Sequence, residues 1–176
     1  MSPSRRVSAD VSEEITNAQL VADLRRALPP IKQNGHHVFM STVAIDCEWD
    51  RDTGELTLIG VGNREAVVQF WWQQLGGPGR AAVAVEIEHI VRALPVVYHN
   101  ADADIRKMRQ AGIPITVEMH KALEDTMLIH AVLRSEEEHT LEYLATERGK
   151  LPPYKHLQSV DLSVYNACDL IETLYV

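Results

Sequence analysis

The sequence predicts an α/β domain, a mixed sheet with helices on its faces, and three observations carry that expectation. Strand-like runs rich in Val, Ile, Thr and aromatics crowd the first half, helical spacing dominates the second half, and one short apolar run stands between helices. At 176 residues, 45% hydrophobic and 24% charged, the chain has the composition of one ordinary globular domain. A fold of this size hides roughly 68 to 70% of its unfolded surface, so neither disulfides nor a structural metal is required.

Residues 1–14 form a polar leader and 15–176 a single domain. Thr16, with Gln19 three residues on, reads as a capping box opening a helix through Leu20, Val21, Leu24 and Leu28 that Pro29-Pro30 stops. Strands follow at 38–48, 55–63 and 66–71. The turns Asp52-Thr53-Gly54 and Gly62-Asn63 between them favour consecutive antiparallel pairing. After a loop at Gly76-Gly77-Pro78-Gly79, residues Val83, Ile87, Ile90 and Val91 recur at helical spacing within 81–93. Pro95-Val96-Val97-Tyr98 is long enough only for a strand. Helices are expected at 102–111, 123–133, 139–148 and from 162 to the C-terminus, with a short strand near 115–117.

The 17 Lys+Arg against 25 Asp+Glu give a formal charge of -8, which argues against a protein that coats nucleic acid or anionic membrane through overall positive charge. No run approaches the ~18 apolar residues of a membrane span, and the N-terminus lacks the apolar core of a secretory signal. Cys47 and Cys168 form no CxxC pattern, so a reducing, cytoplasmic compartment is expected.

Three groups of carboxylates could carry chemistry. In a strand, Asp46 and Glu48 project together on the side opposite Ile45 and Cys47. Two like charges held side by side call for a cation between them or a proton on one, and a hard oxygen-ligand ion such as Mg²⁺ or Mn²⁺ suits the pair. Alone the pattern is weak: ten Asp and fifteen Glu in 176 residues yield about one D-x-E by chance. The second group, Tyr98-His99-Asn100-Ala101-Asp102-Ala103-Asp104, runs from the short strand into a helix. There Asp102 fits a first-turn residue, Asn100 a turn and Asp104 a side chain free to face the strand ends. In the third, Tyr165 and Asp169 lie four apart on the last helix and share a face.

Their order is the stronger signal. D-x-E on the first strand, H-N-x-x-x-D after the later strand and Y-x-x-x-D on the last helix together resemble the DnaQ-like 3'-5' exonucleases of the DEDD superfamily, tyrosine subtype. Asp125-Thr126-Met127-Leu128 and 139–145 are similar to segments of the proofreading domains of family A (Pol I type, including phage) DNA polymerases. Ala103, where the family usually carries Phe or Tyr, and Trp49, where it carries a small residue, depart from the pattern without removing an acid.

The resemblance implies an RNase H-like fold, three antiparallel strands then parallel ones. It implies a 3'-5' exonuclease with Asp46, Glu48, Asp104 and Asp169 holding two Mg²⁺ or Mn²⁺ and Tyr165 orienting the attacking water. The substrate implied is a single-stranded DNA 3' end, in proofreading, replication or repair, with a polymerase domain or replication partner, in a bacterial or phage-infected cytoplasm. His99, Asn100, Trp49, Lys150 and Tyr154 are candidate substrate contacts. Asp125 fits either a helix cap or a ligand. An RNase D-like exoribonuclease would carry the same motifs, and a non-catalytic nuclease-like binding module is the reading from another class.

Overall fold

The computed structural model describes residues 4–176, with side chains from residue 16 onward; the first three residues of the polar leader lie outside the described residues. Six strands form one sheet: β1 (Ile31–Gln33), β2 (Val43–Trp49), β3 (Leu56–Gly62), β4 (Val67–Trp71), β5 (Pro95–Tyr98) and β6 (Ala122–Asp125), in the order β1-β4-β3-β2-β5-β6. The helices are α1 (Ser4–Ala27), α2 (Gly77–Ala93), α3 (Ala101–Gln110), α4 (Thr126–Leu133), α5 (Leu141–Arg148) and α6 (Leu162–Thr173). As expected, β2, β3 and β4 pair antiparallel and β5 joins β2 in parallel. The fold is the mixed, helix-flanked sheet the sequence predicts.

Alternation along β2 divides the core. Val43, Ile45 and Cys47 face one apolar cluster with Ile87, Ile90 and Val91 of α2 and Ile105 and Met108 of α3. Ala44 faces the other cluster, with Leu24 and Leu28 of the α1 end and Val164, Ala167, Cys168 and Leu170 of α6. Burying a Leu or Ile side chain contributes about 1.5–3 kcal/mol, so both faces are held by burial rather than by cross-links. Glycine permits the closest helix-to-sheet contact. A Cβ on Gly60 would meet the Asn166 side chain and lie 2.8 Å from Leu170 Cδ1, so α6 rests directly on β3 opposite Asp46.

Several expectations need correction. Thr16 is not a cap, because α1 begins at Ser4 and carries that position in its interior. The first expected strand starts at Val43 instead of 38; Val38 and Met40 are exposed and unpaired in the sheet. Residues 115–117 form no strand: Ile115 is buried in a loop and Val117 opens a 3-10 turn. The edge strands β1 and β6 were not expected as strands. β6 lies where a helix was expected to start, and its four residues are too few to show a period of two before the apolar run of α4. Among the described residues no helix is long and apolar enough to cross a membrane.

Candidate active site

The acids converge where β2 ends. Asp46, Glu48 and Asp169 each offer an oxygen within 4.8 Å of the others, the one such group of potential metal ligands among the described residues. β2 supplies the first two on one face, and α6, seated against Gly60, supplies the third. Asp104, in the first turn of α3, reaches the same strand from the side, and its Oδ1 accepts the Cys47 backbone N–H at 3.0 Å. The four acids named from the sequence thus meet at one strand, although the described trio does not include Asp104.

Electrostatics at this cluster favour a cation. Burial and the nearby Asp169 carboxylate push Asp46 up to about 7. Burial, reinforced by Asp46, pushes Glu48 up to about 9, and burial with Asp46 raises Asp104 well above the carboxylate range. Lys155 opposes the shifts of Asp46 and Glu48: its Nζ lies 2.6 Å from Asp169 Oδ1 and 3.3 Å from the Tyr165 hydroxyl. An all-oxygen donor set with more negative charge than one ammonium balances suits a hard divalent ion, so these residues fit the Mg²⁺ or Mn²⁺ that the motif order implies.

Each carboxylate is also held in place. Tyr154, buried, donates its hydroxyl proton to Asp169 Oδ1 at 2.6 Å. Gln158 Nε2 donates to Glu48 Oε2 at 3.3 Å. Asn166 Nδ2 donates to Asp46 Oδ2 at 2.6 Å, and Asn166 Oδ1 accepts from Gln69 Nε2 at 3.1 Å. Gln69 is fixed in turn by Ser163, whose hydroxyl donates to Gln69 Oε1 at 2.6 Å and whose carbonyl accepts from Gln69 Nε2 at 2.7 Å. Gln69 and Asn166 are fully buried, so this relay carries orientation from β4 through α6 to Asp46.

The remaining candidates take varied places. Tyr165 is partly buried beside Lys155, and burial with Asp169 raises its phenol well above its ordinary range. Tyr154 belongs to the acid cluster. Asn100 has left-handed backbone (φ 75°) at the entry to α3, the turn chemistry its residue type favours. His99 Nδ1 is 2.8 Å from Thr126 Oγ1, and burial lowers its imidazole to about 4. Trp49 packs against the α2/α3 side of the core with the Lys107 ammonium over its ring. Lys150 donates its backbone N–H to the Glu172 carboxylate, and its ammonium lies 6.0 Å from the Tyr175 ring centre. His36 and His37 lie in a loop. His130 and His139, nine apart, are brought to 2.8 Å between their Nδ1 atoms, a pairing that neither helical nor strand spacing signals.

Asp125 is a double cap. Its carboxylate accepts Met127 and Leu128 N–H of α4, and also Asn100 and Ala101 N–H at the start of α3. Replacing it with Ala removes the shared acceptor for two helix starts and is expected to cost about 2 kcal/mol, lowering Tm by roughly 4–8 °C. A thermal melt checks this; an unchanged Tm would contradict the capping role.

Sequence reasoning missed Lys155, Gln158, Gln69 and the tether role of Asn166. Lys155 closes the basic stretch 148–155 and Asn166 lies inside the Y-x-x-x-D motif, but no spacing signalled that either touches an acid.

No family model matches the chain, and no curated protein matches it in sequence. Solved structures match its fold. The EXO domain of Aedes aegypti Nibbler superposes with a TM-score of 0.55 at 16% identity, covering 89% of this chain and 80% of that one. Escherichia coli RNase D, described as an exoribonuclease involved in structured RNA processing, superposes with a TM-score of 0.52 at 13% identity, covering 90% and 40%. The catalytic core of RRP6 from Trypanosoma brucei gives 0.54 at 18% identity, covering 92% and 42%. The chain therefore spans about two fifths of the RNase D and RRP6 structures.

Proposed function

We propose that this chain is a divalent-metal-dependent 3'-5' exonuclease of the DEDD type, releasing nucleoside 5'-monophosphates from a single-stranded 3' end. The observation that carries the reading is the meeting of Asp46, Glu48 and Asp169 within 4.8 Å at the strand that Asp104 also touches. These acids would hold Mg²⁺ or Mn²⁺, two ions on the family pattern, and the metal supplies Lewis-acid activation of water and of the departing oxygen. Water adds its oxygen to phosphorus, the P–O3' bond breaks, and the departing O3' takes a proton. Tyr165, kept protonated by burial and Asp169, orients that water by hydrogen bonding instead of deprotonating it. Lys155 holds Asp169 and the Tyr165 hydroxyl together, and Asn166 fixes which oxygen of Asp46 turns toward its helix.

The motif resemblance to proofreading domains supports DNA as the polymer. RNA is the second reading, favoured by the fold likeness to a protein described as an exoribonuclease. Incubating 5'-labelled DNA and RNA strands with the protein and Mg²⁺ or Mn²⁺ is expected to give stepwise shortening that EDTA stops. The polymer shortened faster identifies the substrate. Intact strands of both kinds after incubation with folded protein would sink the enzyme reading.

A further inference from the structure

At the end of the sheet where β2 gives way to its turn, a second polar cleft opens on the α2/α3 side. The 53–56 segment, the 3-10 turn Trp72–Gln74, Arg80 of α2 and the later part of α3 line it. Its cavity volume is about 350 Å³, at the lower end of the roughly 300–1,000 Å³ of small-ligand clefts. Lys107 stands three residues beyond Asp104 on α3, so about one helical turn separates these two residues.

Two cations are set in this cleft by aromatic and carbonyl contacts. Lys107 Nζ donates to the Gly54 carbonyl at 2.9 Å and lies 5.1 Å from the Trp49 ring centre. Arg80 Nε donates to the Trp72 carbonyl at 3.1 Å, with Cζ 5.4 Å from the Trp72 ring centre. Neither pairs with a carboxylate among the described residues, whereas Arg25, Arg92, Arg106 and Lys155 all do. Glu55 on the rim brings the local sum to one positive charge, the complement of one phosphodiester. Ring and carbonyl contacts leave the remaining N–H groups of both side chains to a ligand, and a guanidinium offers a fork suited to phosphate.

We infer that this cleft is an upstream strand subsite, in which Arg80 and Lys107 hold a phosphodiester on the 5' side of the scissile bond. The inference rests on the exonuclease reading: with the 3' end at the acids, the rest of the strand can extend only in the 5' direction. A chain of net charge -8 has no general attraction for a polyanion, so its grip depends on local clusters of this kind.

The test measures binding of single-stranded DNA and RNA of about twelve nucleotides, fluorescein-labelled at the 5' end, by anisotropy in EDTA over a salt series. Full-length wild type, Arg80→Gln, Lys107→Gln and the double variant are compared. The double variant is expected to bind about tenfold more weakly, with its log–log salt slope shallower by about 0.7, the value for one phosphate on a single strand. Lys107 also braces the Gly54 turn, so Arg80→Gln, altering an exposed side chain, serves as the independent arm and is expected to show part of the same change. Wild-type affinity and slope in both Arg80→Gln and the folded double variant would overturn the subsite while leaving the nuclease intact if wild type still shortens the strands. Neither binding nor cleavage by wild type would remove the exonuclease reading itself, and the subsite with it.

Discussion

Asp46→Asn and Asp169→Asn are each expected to lower exonuclease turnover at least about a thousandfold, equivalent to about 4 kcal/mol of transition-state stabilisation. Both changes keep the shape of the side chain and remove a negative oxygen from the trio that meets within 4.8 Å. Their effects on the metal-free fold differ in sign. Asp46 is strained by burial and by Asp169, so neutralising it relieves repulsion, and its replacement amide still offers an oxygen to Asn166. Tm in EDTA should therefore hold or rise. Asp169 anchors Lys155 and the Tyr154 hydroxyl, so its neutralisation weakens the only ion pair inside the described cluster, and Tm should fall. Rates on a labelled strand and melts in EDTA read both effects. Full activity in either variant would remove that acid from the metal set.

The difference between these two acids marks how far the sequence could be read. Strand alternation alone puts Asp46 and Glu48 on one face, and a four-residue helical spacing puts Tyr165 over Asp169. What binds these acids together depends on contacts between distant segments. Lys155 belongs to a 3-10 turn whose position follows from Tyr154 and Leu157 packing under α6. Asn166 reaches Asp46 only because β3 has glycine at position 60, a relation between residues 106 apart in sequence that no local period encodes. Asp125 shows the same limit: its cap of α4 is local and was legible, whereas its hold on Asn100 and Ala101 needs β6 to lie beside β5 with Tyr98 opposite Asp125. Short edge strands were missed for a related reason. Three or four residues carry too little alternation to outweigh the longer apolar run that follows.

The metal-free protein is expected to lose stability as pH rises, and divalent ions are expected to restore it most where the loss is greatest. In the unfolded chain Asp and Glu ionise near 3.9 and 4.3. In the folded chain Asp46 holds its proton up to about 7 and Glu48 up to about 9. Between those limits the native state binds protons that the unfolded state has released, so stability falls with pH across about 4 to 7 for Asp46 and about 4 to 9 for Glu48. The contribution is complete below the lower limit and gone above the upper. A divalent ion takes the ionised carboxylates and displaces those protons, so it binds more tightly as pH rises. At a free metal concentration 100 times Kd the stabilisation is about 2.7 kcal/mol, a rise in Tm of roughly 5–11 °C. Melts at pH 5, 7 and 9, in EDTA and in Mn²⁺, should show the two curves diverging toward high pH. Asp46→Asn separates this cluster from the other carboxylates, because its EDTA curve should be the flatter of the two between pH 5 and 7. Coincident curves for wild type with and without Mn²⁺ would mean that the trio does not bind the ion. Equal slopes for wild type and variant in EDTA would mean that Asp46 is already ionised beside Lys155 across this range, with that ammonium alone sufficient to balance the site.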